Sequence, residues 1–137
     1  MSPLIGVVGP CCAGKSTLIG RLEALGYTAR HIAQEHSYAP RMWQIISQPD
    51  VLVFLDVSYP VAQQRRWMNW KPEDMQEQQR RLRHAREHCD LYLHTDALSP
   101  QQVLTRVLEF LGVSAEAEKI LATLIRSYGE GGSAGIA

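Results

Sequence analysis

The sequence has little that would mark a secreted, membrane-spanning or nucleic-acid-binding protein. Its 137 residues contain three cysteines, an odd number that argues against a disulfide framework and fits a reducing cytoplasm. No apolar stretch approaches the roughly 20 residues that span a bilayer, and no signal peptide is visible. The formal net charge is zero, so the field of the whole molecule does not favour nucleic acid or a membrane surface. We therefore expect a cytoplasmic protein that binds neither nucleic acid nor a membrane.

Apolar runs and amphipathic runs alternate along the chain. Residues 4–8 and 51–57 are rich in β-branched or other apolar residues, which is typical of buried parallel strands. Strands that alternate with helices favour a parallel sheet with helices on both faces. We therefore expect an α/β protein with a three-layer α/β/α fold and a small, mostly parallel sheet of about four strands. The predicted strands are 4–8, 27–33, 51–57 and 91–94, and the predicted helices are 15–25, 40–48, 60–70, 73–89 and one that begins at Pro100.

The composition is that of one ordinary globular domain, with 45% hydrophobic and 20% charged residues. We place this domain at residues 1–112. Residues 113–128 carry apolar side chains at helical spacing and predict a separate amphipathic helix. Residues 129–137 are rich in glycine and predict a flexible tail.

The strongest motif lies between the first predicted strand and the first predicted helix. It matches G-x-x-x-x-G-K-[ST] at every fixed position, which is the pattern of a P-loop. Its glycines let successive N–H groups point at phosphate, and the helix amino terminus adds partial positive charge. Lys15 is expected to reach the β- and γ-phosphates, Ser16 to hold Mg²⁺ and Thr17 to contact the α-phosphate. The predicted nucleotide-binding residues are Gly9, Pro10, Cys11, Cys12, Ala13, Gly14, Lys15, Ser16 and Thr17.

The two adjacent cysteines occupy variable positions of this loop, where small side chains fit. An alternative is a redox switch, since a helix amino terminus lowers the pKa of a thiol. No spacing of cysteine and histidine in the sequence predicts a protein-only zinc site.

The second half of the sequence resembles P-loop nucleoside and nucleotide kinases of the adenylate and thymidylate kinase group. The resemblance rests on the apolar run 51–57 after Pro49-Asp50, on the arginines that follow it, and on Cys89-Asp90-Leu91-Tyr92-Leu93. Together with the P-loop it covers most of residues 1–112. It implies a P-loop NTPase fold in which a central strand is followed by a lid whose arginines close over the triphosphate. The chain would be a minimal member, because only residues 27–49 are available for acceptor binding.

The short middle segment has a consequence for the acidic site residue. Family members have a further strand here, which ends in an acidic residue beside Mg²⁺. If that strand is missing, residues 27–33 lie directly beside the P-loop strand, and Glu35 reaches the sheet edge where ligands bind. Glu35 would then hold a Mg²⁺-bound water or act as the base for an acceptor hydroxyl. Asp56, at the end of the next strand, is the rival and the metal-side candidate; each is alternatively a surface carboxylate at a strand end.

Arginines crowd the predicted lid. A guanidinium suits phosphate because its fork donates two parallel hydrogen bonds. Arg81 and Arg86 flank the apolar stripe of the predicted helix 73–89 and are our catalytic candidates beside Lys15 and Glu35. Arg65 and Arg66, on the preceding helix, are predicted to bind the nucleotide. The alternative is a solvated face on which acidic neighbours pair with the arginines.

These residues together predict an ATP-dependent phosphotransferase that uses Mg²⁺. The nucleotide is ATP or another nucleoside triphosphate, and the acceptor is a nucleotide, a nucleoside or another small hydroxyl compound. The alternative function is a nucleotide-binding or slow NTP-hydrolysing switch that acts through a protein partner. In that case the helix 113–128 would dock on the partner or form a homodimer.

Overall fold

The computed structural model of the protein describes residues 3–112. The predicted helix 113–128 and the predicted tail 129–137 lie outside the described residues. Strands and helices alternate along the described part. The elements are β1 (Leu4–Val8), α1 (Lys15–Ala24), β2 (Thr28–His31), a 3₁₀ turn (Gln34–His36), α2 (Met42–Ser47), β3 (Val51–Asp56), α3 (Tyr59–Arg65), α4 (Pro72–Arg81), α5 (Arg83–His88), β4 (Leu91–His94) and α6 (Pro100–Phe110).

The described strands form one sheet of four parallel strands in the order β2-β1-β3-β4. This confirms the predicted α/β class and the predicted small parallel sheet. It also confirms that β2 pairs directly with β1, where Val7 lies opposite His31. The carboxyl ends of β1, β2 and β3 consequently meet at one edge of the sheet.

The central strand β3 has buried side chains on both faces. Val53 and Leu55 pack in a cluster with residues of α1 and α6, such as Leu18 and Val107. Leu52 and Phe54 pack in a second cluster, whose other buried members are Val8, Ile32, Trp43, Leu82 and Ala85. Helices therefore cover both faces, which is compatible with a three-layer α/β/α fold.

The two helices predicted after β3 differ from those in the structure. The helix predicted to reach residue 70 ends at Arg65, and the chain is extended at Arg66. Side chains replace the backbone bonds beyond that point, since the Gln63 side chain accepts the Met68 N–H and Tyr59 donates to the Trp70 carbonyl. The predicted helix 73–89 begins one residue earlier, at Pro72, and is divided at Leu82 into α4 and α5.

Two helices begin with the local signals that the sequence carries. Ser58 and Ser99 are the N-caps of α3 and α6, and their hydroxyls accept backbone N–H groups of the first turn. Proline follows each cap within the first turn, where its missing N–H is not needed.

No helix of residues 3–112 is both long enough and apolar enough to cross a bilayer.

Candidate functional site

The loop between β1 and α1 depends on glycine at its two ends. At Gly9 the backbone φ is +151°, and an added Cβ would lie 1.9 Å from the carbonyl oxygen of Leu55 on β3. At Gly14, the N-cap of α1, φ is +98°. The first turn of α1 contains no acidic residue, and the glycine cap has no side chain to accept its N–H groups. The loop therefore presents backbone donors and a helix dipole to an anion.

Lys15 begins α1 and is paired with Glu35. Its Nζ donates to Glu35 Oε2 at 2.5 Å and also to the Gly9 carbonyl. The two side chains are only 7% and 3% exposed. Glu35 reaches the loop because its 3₁₀ turn follows β2, which lies beside β1. The structure thus brings these two predicted site residues together at the predicted edge of the sheet.

The Glu35 carboxylate lies among further charged and titratable groups. His31 Nε2 and His36 Nε2 are 3.9 and 3.8 Å from its Oε2 atom. Burial lowers the pKa of His31, and the Lys15 ammonium lowers it further, while the Glu35 carboxylate opposes both. The other carboxylate oxygen, Oε1, is buried and has no hydrogen-bond partner among the residues that the structure describes.

Two buried glutamines connect the loop and the 3₁₀ turn to other parts of the chain, Gln78 from α4 and Gln34 from the turn itself. Gln78 of α4 accepts the Cys11 N–H at 3.0 Å and donates to the Cys11 sulfur at 3.2 Å. Gln34 donates to the carbonyls of Ala39 and Arg81 and accepts the Trp43 N–H. No motif in the sequence singles out either residue, because a neutral amide carries none, and the bonds of Gln78 to Cys11 and of Gln34 to Arg81 span 67 and 47 residues.

Arg81 and Arg86, the arginines predicted to be catalytic, lie in two different places. Arg81 donates to Glu77 and to the Glu35 carbonyl, and its guanidinium lies 4.2 Å from the centre of the Tyr38 ring. Arg86 is exposed, and its guanidinium lies 5.5 Å from the centre of the Tyr92 ring. The structure therefore brings Arg81 to the Glu35 region and groups Arg86 with β4.

Of the two arginines at the end of α3, Arg65 contacts the loop. It donates to the Cys12 carbonyl at 3.0 Å and to the hydroxyl and carbonyl of Thr95 at 2.9 and 2.6 Å. Arg66 is exposed. Burial, followed by the neighbouring Cys11, raises the pKa of Cys12, although both arginines and Lys15 oppose the shift. This direction is opposite to the one that the redox-switch alternative requires.

Asp56 lies in a separate hydrogen-bonded group. Its Oδ1 atom accepts the Val57 N–H and the Gln79 amide, and its Oδ2 atom accepts the Tyr92 hydroxyl at 2.6 Å. Burial and this bond to Asp56 raise the pKa of Tyr92 to about 12. The carboxylate of Asp56 is thus satisfied by protein donors, whereas Glu35 Oε1 is not.

A cavity of about 330 Å³ adjoins the loop. Thr95 is a buried residue of the cavity lining. Its hydroxyl donates to the Asp56 carbonyl and lies 3.4 Å from the Ala13 carbonyl. The volume and mostly apolar lining of the cavity are within the range of small-molecule sites. The lining residues are Ala13, Gly14, Thr17, Leu18, Arg65, Thr95, Leu98, Pro100 and Val103.

Comparison with known proteins does not assign the chain to a family. No protein-family model matches the chain, and no curated protein sequence matches it.

Proposed function

We propose that the chain is a small P-loop kinase, which binds a nucleoside triphosphate with Mg²⁺ and transfers its terminal phosphoryl group to a small hydroxyl acceptor. The observation that carries this proposal is the buried pair of Lys15 and Glu35 at the carboxyl edge of the parallel sheet. Open α/β sheets bind their ligands at this edge. A lysine at the start of the helix after a glycine-rich loop is the group that neutralises phosphate there.

Each part of the loop has a role in this proposal. The backbone N–H groups of residues 9–17 and the α1 dipole bind the phosphates. Lys15 exchanges its contact with Glu35 for the β- and γ-phosphate oxygens. Ser16 is exposed on the first turn of α1 and offers a hydroxyl oxygen. Mg²⁺ prefers such oxygen ligands, and when bound it neutralises charge on the transferred phosphoryl group.

The cavity supports a nucleoside beside the phosphates. It opens next to Gly14 and Thr17, so a base bound there would stay connected to phosphates on the loop. Arg65 forms one wall and is already held by Cys12 and Thr95. A guanidinium fixed in this way suits stacking on a flat ring or pairing with an anion. ATP or another nucleoside triphosphate fits this description.

The acceptor would approach from the side of Glu35 and Arg81. Glu35 is the base that receives the proton of the acceptor hydroxyl, and Arg81 stabilises negative charge on an acceptor or on the phosphoryl oxygens. The exposed Tyr38 ring, 82% accessible, lies under the Arg81 guanidinium and offers a flat contact surface. We prefer Glu35 over Asp56 as the acidic residue, since Asp56 is satisfied by Gln79 and Tyr92.

A second function, a nucleotide-dependent switch with slow hydrolysis, is favoured by the contact between α4 and the loop. Gln78 bonds to the N–H and the sulfur of Cys11. Phosphates that take this N–H would release Gln78 and change the position of α4. A partner protein could read that movement.

The deciding experiment measures ADP release from Mg-ATP, alone and with a panel of nucleosides, nucleoside monophosphates and small alcohols. A kinase predicts a large stimulation by one acceptor class. Glu35→Gln should leave nucleotide affinity within a few-fold and slow turnover by roughly 10²–10⁴-fold. Glu87→Gln, at an exposed surface carboxylate, is the matched control and should leave both unchanged. A flat response to every acceptor, with slow background release, would favour the switch, and full activity of Glu35→Gln would remove Glu35 from the mechanism.

A further inference from the structure

Three metal-ligating side chains meet beside the phosphate loop. The ligand atoms of Cys11, Glu35 and His36 all lie within 4.8 Å of one another. Cys11 comes from the loop after β1, and the other two come from the 3₁₀ turn after β2. Cys11 is far in sequence from Glu35 and His36, so the spacing of cysteine and histidine does not predict this group.

The separations are close to those of a metal site. Bonds of 2.0–2.3 Å in a tetrahedron place two ligand atoms roughly 3.3–3.8 Å apart. His36 Nε2 is 3.8 Å from Glu35 Oε2, and His31 Nε2 is 3.9 Å from the same oxygen. Small side-chain movements would therefore complete the coordination. His36 and His31 have 60% and 43% exposed side chains, which leaves them room to move.

Two further features of this group favour a cation. Glu35 is nearly fully buried, and while Lys15 occupies its Oε2 atom, its buried Oε1 atom has no partner among residues 3–112. The Gln78 amide donates to the Cys11 sulfur at 3.2 Å, and its orientation is fixed because its oxygen accepts the Cys11 N–H. A donor on the sulfur stabilises a thiolate and holds it in place, as groups around metal ligands do.

We infer that Cys11, Glu35 and His36 form a binding site for a divalent transition-metal ion of the zinc type. A thiolate, an imidazole and a carboxylate are zinc ligands, whereas Mg²⁺ and Ca²⁺ take oxygen ligands. The thiol of Cys11 gives up its proton to solvent on binding. Three protein ligands leave a fourth position, which a water or His31 fills.

This site has a consequence for the phosphate loop. The ion and the Lys15 ammonium would both interact with the Glu35 carboxylate, and the two positive charges repel each other. A bound zinc ion should therefore lower the affinity for Mg-nucleotide. The metal site itself does not depend on nucleotide binding, so it is tested without nucleotide.

The test titrates Co²⁺ and then Zn²⁺ into the metal-free full chain, without nucleotide. One Co²⁺ per chain is expected, with a thiolate-to-cobalt charge-transfer absorption that Zn²⁺ removes and millimolar Mg²⁺ does not. Cys11→Ser should abolish this absorption, and His36→Gln should weaken binding by at least ~10-fold. His36 is exposed, so its variant remains informative if the Cys11 variant does not fold.

Two matched controls separate this site from adventitious binding. Cys12→Ser removes the adjacent thiol, and His88→Gln removes one ring of a stacked surface pair with His84. Both variants should bind Co²⁺ as the unaltered chain does. The inference is overturned by a chain that takes up no stoichiometric Co²⁺, by an absorption that survives in Cys11→Ser, or by equal losses in Cys12→Ser. A negative result would leave the proposed kinase function untouched, since ADP release in Mg²⁺ is measured independently.

Discussion

Removal of the Lys15 ammonium should strongly destabilise the folded protein. In Lys15→Met the Glu35 carboxylate, with a 3% exposed side chain, loses its strongest charged partner. Removal of one partner of a buried ion pair costs about 3–5 kcal/mol, because the other charge remains uncompensated. His31 and His36 lie near this carboxylate and compensate in part when they are protonated. The measurement is therefore made at pH 8, where the His31 imidazole is neutral because burial lowers its pKa.

The double variant gives the sharper test. Replacement of a whole buried ion pair by neutral groups is often neutral or stabilising. Glu35→Gln should therefore raise the stability of Lys15→Met by roughly 2 kcal/mol, although the same change in the unaltered chain breaks the pair. The sign of the Glu35→Gln effect thus depends on whether Lys15 is present.

The measurement is urea unfolding at pH 8 without nucleotide, followed by circular dichroism. With a slope of about 2 kcal/mol per M, Lys15→Met should lower the midpoint by roughly 1.5–2.5 M. Lys71→Met, at an exposed lysine, is the control and should change stability by less than about 0.5 kcal/mol. Additive effects of the two substitutions, or a Lys15→Met variant as stable as the control, would refute the reasoning.

Three further predictions concern other parts of the fold. Gly9→Ala should cost more than ~4 kcal/mol of stability in urea unfolding, because its Cβ would lie 1.9 Å from the Leu55 carbonyl oxygen. Gly20→Ala, in open space on α1, should instead gain about 0.5–1 kcal/mol of stability. Equal effects of the two substitutions would contradict the close approach at Gly9. Burial, then the neighbouring His88, lowers the pKa of His84, so the unfolded chain binds more protons and stability should fall as pH decreases below 6.5. His84→Gln should flatten this fall while it still accepts the Trp43 indole N–H, and an unchanged slope would exclude His84 as a source. Asp56→Asn should cost about 1–3 kcal/mol of stability and leave the Mg²⁺ dependence of nucleotide binding unchanged; a lost Mg²⁺ dependence would return Asp56 to the metal site.

The sheet could be predicted because its signals are local. Residues 51–57 are apolar up to Asp56, so a strand buried on both faces is the arrangement that hides them from water. The pairing of β2 with β1 could be predicted from a count of strands, since the segment between α1 and β3 has room for only one predicted strand, 27–33. Glu35 was placed at the edge of the sheet by the same argument, and its contact with Lys15 agrees with it.

The cross-links around the site could not be predicted in this way. Gln78 and Cys11 are 67 residues apart, and Arg65 and Thr95 are 30 apart, so no periodic pattern joins them. Glutamine and threonine also occur throughout protein surfaces, and only burial distinguishes the few that hold a fold together. The end of α3 escaped prediction for a related reason, because Gln63 bonds to the backbone in place of the next helical turn.

The central claim is that the loop of residues 9–17 binds nucleotide phosphates through Lys15. Equilibrium binding of Mg-ATP tests it most directly, measured by calorimetry on the unaltered chain, on Lys15→Met/Glu35→Gln, and on Lys71→Met. The double variant is used because it is expected to stay folded without the lysine. We predict saturable binding to the unaltered chain and to Lys71→Met, and none to the double variant. Tight, Mg²⁺-dependent binding of ATP by a folded double variant would contradict the account.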